Sequence, residues 1–435
     1  MATAPPPDLD SDSSDPQPKP HAAPRSFWSA AGPGIVAGAA DDDPAGITTY
    51  SIAGAQFGTG LLWTALITWP LMAAVQSMCA RVGMVTGRGL IGAVRTRFPR
   101  SVVVGVAFAL FAANSINVGA DLAAMADAAE VFSSIHSRIW ILVLGGGIAW
   151  ATVHFRYVQI ANALKWLALS LFAYIIAGIS LKPHWGQVLQ ATVIPTVPVG
   201  GDGWATLVAI FGTTISPYLF FWQASQEVDE KRASGQREVK DRRGATPQQI
   251  RHRKIDIGIG TFFSNLVMFF VILTCALTLH REGITTITSS REAAEALRPI
   301  AGHLAATLYA GGILAVGLLA IPTLTASAAY ALAETFGWRE GLDAQFREAP
   351  AFYAVVILAT AVGLGLDFLN VNPVHALFWT GVINGVLAPV LIFGLLAVAS
   401  DRHAMGGQPS SLLGRVTVGV TGVLMVGAVI GMVVF

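Results

Sequence analysis

Gly32-Pro33-Gly34-Ile35-Val36-Ala37-Gly38-Ala39-Ala40-Asp41-Asp42-Asp43-Pro44-Ala45-Gly46-Ile47-Thr48-Thr49-Tyr50 is apolar on both sides of three consecutive carboxylates. Inside lipid such a run is unfavourable, because each ionised Asp costs about 2.5–3.5 kcal/mol at a helix centre. Pro44 then removes a backbone donor, and Gly46 weakens the helix again. Carbonyls freed at that depth are tolerated only where they are buried in protein or line a polar cavity. The stretch predicts a spanning helix that breaks at a polar site.

Lipid is the setting because the rest of the chain leaves no other. Of its 435 residues 54% are hydrophobic and only 12% charged, with a mean hydropathy of +0.60. A soluble domain carries about 25% charged residues, so there is too little polar surface here to cover a globule. A net charge of +1 and the lack of a basic stripe interleaved with aromatics give no reason to expect nucleic acid as a partner. Cys79 and Cys275 both fall in apolar segments, which argues against a disulfide framework.

Apolar windows of about 20 residues predict eleven spans: 31–57, 61–82, 102–132, 139–153, 160–181, 204–224, 256–279, 303–333, 352–369, 373–399 and 412–435. Residues 1–25, rich in Pro, Asp and Ser, read as a disordered cytoplasmic tail. Residues 26–400 form the ten-helix core, with a solvated basic loop at 227–255, and 401–435 hold a loop and the eleventh helix. With the N-terminus placed in the cytoplasm, 21 of the 27 basic residues fall inside and five outside, Lys165 lying within a span. That asymmetry is what the positive-inside rule requires of an N-in, C-out chain. Glu227, Asp229 and Glu230 are expected to form a solvated acidic turn just after the sixth span.

The sixth span repeats the feature of the first. In Ala209-Ile210-Phe211-Gly212-Thr213-Thr214-Ile215-Ser216-Pro217-Tyr218 a proline again interrupts an apolar run, here after hydroxyl residues. The two breaks open two five-span halves, and paired broken segments at corresponding positions mark the site of an inverted-repeat transporter. Carboxylates beside exposed carbonyls and hydroxyls make an all-oxygen cation site, and an anionic substrate would be repelled. Asn114, Asn117 and Asp121 share one face of the third span, either lining a pathway or bonding a neighbouring helix.

At these residues the sequence resembles the natural resistance-associated macrophage protein (Nramp) family of divalent metal transporters, over roughly residues 28–400. Asp43-Pro44-Ala45-Gly46 resembles the family's Asp-Pro-Gly-Asn, and Gly212 to Tyr218 its Gly-Ala-Thr-Val-Met-Pro-His. Gly119-Ala120-Asp121-Leu122-Ala123 is similar to its Ala-Thr-Asp-Leu-Ala-Glu, and Asn265 stands where the family often has Asn. The resemblance implies an all-α polytopic protein with a LeuT-like 5+5 inverted repeat, discontinuous helices 1 and 6, and here an eleventh helix. It implies a metal site formed by Asp43, Gly46, Thr213 and Ser216 with Asp42 alongside, and a pathway or proton relay through Asp121, Tyr218, Asn114, Asn117 and Asn265.

The departures point to the cargo. The family's binding Asn is Gly46 here and its binding Met is Ser216; the Ala that offers a carbonyl is Thr213. The His and Glu linked to proton movement are Tyr218 and Ala124. A thioether suits softer transition metals, whereas carboxylate, carbonyl, hydroxyl and water suit Mg²⁺ and Mn²⁺. Mg²⁺ keeps several waters, so a roomier oxygen-only pocket fits it, as in the divergent Nramp-related magnesium transporters that this sequence resembles. The expectation is Mg²⁺ transport, with Mn²⁺ second and proton coupling weak or absent; the alternative is a conventional proton-coupled Mn²⁺/Fe²⁺ transporter.

An intramembrane enzyme holding Mg²⁺ on a diphosphate would need a second acidic cluster within the spans, and the sequence offers none. An amino-acid or organic-cation symporter would break its first helix without the carboxylates. No enzyme activity and no resident cofactor are expected, since the divalent ion is cargo. The expected partners are that ion and the bilayer of a bacterial plasma membrane, with one chain sufficient.

Overall fold

The computed structural model describes residues 42–133, 135–155, 171–197, 200–236, 238–302, 305–342, 344–368 and 371–435. The expected tail at 1–25, Asp41 and the first half of the fifth span lie outside the described residues.

Within the described residues each expected span contains helix; the first span before Asp42 lies outside them. The elements are α1 (Pro44–Phe57), α2 (Leu62–Thr86), α3 (Arg100–Phe132), α4 (Ser137–His154), α5 (Phe172–Ser180), α6 (Gly201–Thr214), α7 (Pro217–Ala233) and α8 (Pro247–Leu277). They continue with α9 (Ala305–Phe336), α10 (Pro350–Asp367), α11 (Pro373–Ser400) and α12 (Leu412–Val434). Among the described residues there is no strand. Among those residues seven helical stretches are long and apolar enough to cross a membrane, with Pro44–Thr86 counted as one and Pro350–Leu366 a shorter apolar helix.

α1 begins, and the sixth span breaks, where the prolines place them. α1 starts at Pro44, with Asp43 in extended backbone as its N-cap. A proline is tolerated at the first helical position, where its missing donor has no partner to lose. The sixth span divides into α6 and α7, with Ile215 and Ser216 outside both. Pro217 cannot donate to the Thr213 carbonyl, and the Ser216 hydroxyl donates there instead at 2.7 Å and to the Gly212 carbonyl at 2.9 Å. One short side chain satisfies the acceptors that the unwinding frees.

The packed interior divides into two apolar clusters. Along α3, Val103, Ala107 and Leu110 belong to one, and Val118, Ala120 and Leu122 to the other. Along α9 the change falls between Leu324 and Ala326. Asn114 and Asn117 stand at this seam, and the Asn114 amide crosses it to donate to the Leu324 carbonyl at 2.8 Å. Asn114 and Asn117 thus lie where the two apolar clusters meet.

The broken helix α6 is held by close backbone contact with α11. A Cβ added to Gly212 would stand 2.0 Å from the Gly381 carbonyl oxygen and 2.3 Å from the Gly385 nitrogen. Small residues let membrane helices approach in this way. Gly212→Ala is expected to force the two helices apart, an overpacking cost of about 1–3 kcal/mol or more. The check is the yield of monodisperse protein in detergent, and a wild-type yield would contradict it.

Two expectations for the charged segment after the sixth span change. The stretch 227–255 is mostly helix, since α7 runs to Ala233 and α8 begins at Pro247 behind a capping box of Thr246 and Gln249. Arg242 is buried, and the Lys231 ammonium donates to the carbonyls of Met84, Arg242 and Gly244 at 2.6–2.7 Å. In the acidic turn Glu230 is exposed as expected, whereas the other two carboxylates are engaged. Glu227 is 3% exposed and pairs with Arg253 at 2.7 Å, and Asp229 accepts from Arg232 at 3.0 Å. Glu227 is buried where α7 continues past the apolar stretch and meets Arg253 of α8, and Asp229 is partly buried beside the segment before α10.

That segment carries Glu340, which pairs with Arg232 at 3.0 Å. Burial, together with the nearby Glu334 carboxylate, pushes the Glu340 carboxyl up to about 8, against the pull of Arg232. A folded-state value raised above the unfolded one means stability that is present at low pH and lost as pH rises towards 8. Thermal melting from pH 6 to 9 should therefore fall in the wild type more than in Glu340→Gln. Parallel pH profiles would show that the carboxyl titrates normally.

Candidate metal site

Asp43 sits at the N-terminus of α1, where unpaired backbone donors and the helix dipole favour negative charge. The Gly46 N–H donates to Asp43 Oδ1 at 2.7 Å. The carboxylate also accepts from the Ala45 N–H and the Tyr218 hydroxyl. From α3, Asn117 Nδ2 donates to Asp43 Oδ2 at 3.2 Å and to Asp121 Oδ2 at 3.1 Å. The Ala45 N–H reaches Asp121 as well. Asp43, Asn117, Asp121 and Tyr218 are all buried, so α1, α3 and α7 converge on one pair of carboxylates.

Gly46 belongs to this cluster, and a Cβ there would be 3.4 Å from Asp43 Oδ1 and from the Tyr50 ring. Asp42, also buried, turns the other way and accepts from the Ser264 hydroxyl on α8 at 3.0 Å. The adjacent carboxylates thus tie α1 to different helices, as successive residues in extended backbone do. The Thr213 hydroxyl donates within its own helix, to Ala209 at 3.0 Å and Ile210 at 3.2 Å, and Ser216 caps the break as described. What Thr213 and Ser216 keep for a cation is their remaining oxygen lone pairs.

Two of the pathway candidates lie elsewhere. Asn265 accepts from the Thr68 hydroxyl at 2.6 Å and donates to the Thr261 carbonyl at 2.9 Å, so it joins α8 to α2. Asn114 is engaged with α9. Sequence reasoning passed over Ser264, the partner of Asp42, and the Ala45 N–H that serves both carboxylates. Ser264 directly precedes the noted Asn265, but which of two neighbouring polar residues faces α1 depends on the rotation of α8. Among the described residues no three His, Cys, Asp or Glu side chains come together as metal ligands. A cation held here relies on two carboxylates and on neutral oxygens, a donor set suited to hard ions.

A family profile described as "Natural resistance-associated macrophage protein-like" matches residues 34–435. The Divalent metal cation transporter MntH of Klebsiella pneumoniae (strain 342) is 27% identical over 426 residues, covering 92% of this chain and 94% of that protein. Its namesake in Yersinia pestis (strain Pestoides F) is 29% identical over 298 residues, covering 66% and 68%. The solved Eremococcus coleocola manganese transporter superposes with a TM-score of 0.69 at 16% identity over 95% of both chains. Mhp1 in its inward-facing conformation superposes with a TM-score of 0.56 at 12% identity over 92% of this chain and 89% of that one. The structural likenesses establish a LeuT-like helical fold, and the profile match spans nearly the whole sequence: this integral, multi-pass membrane protein belongs to the Nramp family.

Proposed function

We propose that the chain carries divalent metal cations across the membrane by alternating access, holding the ion at Asp43, with Asp42, Gly46, Thr213 and Ser216 around it. Mg²⁺ is the favoured cargo, Mn²⁺ the second, and proton movement is not coupled to it stoichiometrically. The observation that carries this reading is Asp43 itself, a buried carboxylate at the start of α1 with oxygen-bearing neighbours and glycine and serine where a soft ligand would stand. Tyr218 and Ala124 in place of more readily titrating groups support the weak coupling. The topology proposed is N-terminus in the cytoplasm and C-terminus outside, in a bacterial plasma membrane, with a single chain sufficient.

A conventional proton-coupled Mn²⁺/Fe²⁺ transporter is the second reading. It is favoured by relatives named as divalent metal cation and manganese transporters, and Asp121 remains as a titratable group. Proteoliposomes containing an internal pH dye separate the two. Mg²⁺ entry at constant internal pH supports the first reading; Mn²⁺ entry with acidification and no Mg²⁺ entry replaces it by the second. No flux of either ion would return the site to an organic substrate.

A further inference from the structure

We propose that Asp121 and Asn117 on α3 are direct ligands of the transported cation, sharing it with Asp43. This deepens the divalent-cation reading above and rests on it.

Asp43 alone is already well supplied with donors. Its Oδ1 accepts from Gly46, its Oδ2 from Asn117, and the carboxylate is further served by Ala45 and Tyr218. A cation using Asp43 by itself would compete with those hydrogen bonds. The oxygens without a partner lie one turn along the same cluster, at Asp121 Oδ1 and Asn117 Oδ1. Both residues are fully buried, where an unmet acceptor costs about 1–3 kcal/mol and more when charged. The Asn117 NH₂ end faces the two carboxylates, and a cation placed between them would be met by the carbonyl end of the same amide after a half-turn about its last side-chain bond. The i, i+4 spacing places Asn117 and Asp121 on one face of α3.

Charge leads to the same assignment. Two carboxylates bridged by one neutral amide repel each other in a buried site, and one divalent cation neutralises both. Carboxylate and amide oxygens are the ligands that hard divalent cations take. Asp121 would thus be part of the ion's coordination, and the site would select for divalent over monovalent charge.

The test uses the purified full-length protein and titrates Mn²⁺, Mg²⁺ and Cd²⁺ calorimetrically into wild type, Asp121→Asn and Asp121→Cys. If Asp121 is a ligand, Asp121→Asn weakens Mn²⁺ binding at least about 10-fold, the loss typical of disturbing a metal's ligand shell. Asp121→Cys then binds Cd²⁺ at least about 10-fold more tightly than Asp121→Asn does, because a thiolate is a soft ligand. A residue that merely positions Asp43 would give no such exchange of metal preference. Wild-type Mn²⁺ affinity in Asp121→Asn, or no Cd²⁺ gain in Asp121→Cys, overturns the assignment. If Asp121→Asn does not yield monodisperse protein, the Cd²⁺ comparison of Asp121→Cys with wild type decides. Wild type that binds neither Mn²⁺ nor Mg²⁺ overturns the transport reading and this one with it, whereas intact wild-type binding with an unaffected Asp121→Asn overturns this one alone.

Discussion

Asp43→Ala is expected to remove divalent-metal uptake into proteoliposomes, with Asp43→Asn losing nearly as much. Truncating one partner of a buried charge interaction costs about 2–5 kcal/mol, which corresponds to roughly 30-fold or more in affinity. The pair of variants separates charge from structure. Asp43 caps α1 through the Gly46 N–H, and losing a cap costs about 1 kcal/mol. Asn is as good a cap as Asp, so Asp43→Asn keeps the helix start while removing the negative charge. Both variants should elute as folded protein and fail in uptake. Uptake by Asp43→Asn at the wild-type rate would show that the charge is not what holds the ion.

The second large effect is on stability. Arg253 on α8 pairs with Glu227 at 2.7 Å, with Asp256 at 3.2 Å and with Glu230, so one guanidinium serves three carboxylates. Gln223 also donates to Glu227, at 2.9 Å. Removing one side of a buried pair strands the other charge and costs about 3–5 kcal/mol. Arg253→Ala should therefore lower the melting temperature markedly in detergent. Replacing both partners by apolar or neutral groups of similar shape is often close to neutral, so Arg253→Met combined with Glu227→Gln should recover much of the loss. An Arg253→Ala protein that melts with the wild type would mean that the pair is solvated in solution and contributes little.

The rewritten charged segment shows where sequence reading reached its limit. Counting Lys231, Arg232, Arg242 and Arg253 by side informs topology, because that rule depends on charge number and not on contacts. It says nothing of whether a given charge is buried. Glu227 and Arg242 read as solvated because their neighbours in sequence are polar; in space their neighbours are α8 for one and the end of α2 for the other. The site divides in the same manner. Asp43, Pro44, Ser216 and Pro217 announce themselves locally, since carboxylates and prolines inside apolar runs have few uses other than a break at a polar site. The joining of Asp43 to Asp121 does not, because 78 positions separate them in the chain and their contact passes through one amide on α3.

The chain's own sequence settled the setting, the helical class, the start of α1 at Pro44 and the interruption before Pro217. Each depends on hydropathy over some twenty residues or on the backbone chemistry of a single proline, and neither requires a partner from elsewhere. The tertiary structure alone decided which way the adjacent carboxylates Asp42 and Asp43 turn and that Asn265 joins α8 to α2. It also decided that Asn117 and Asp121 complete the cluster around Asp43. Those outcomes depend on how each helix is rotated and how closely it approaches its neighbours, as at Gly212 against Gly381 and Gly385. Rotation and approach are fixed by packing summed over many side chains, a quantity that no short stretch of sequence carries.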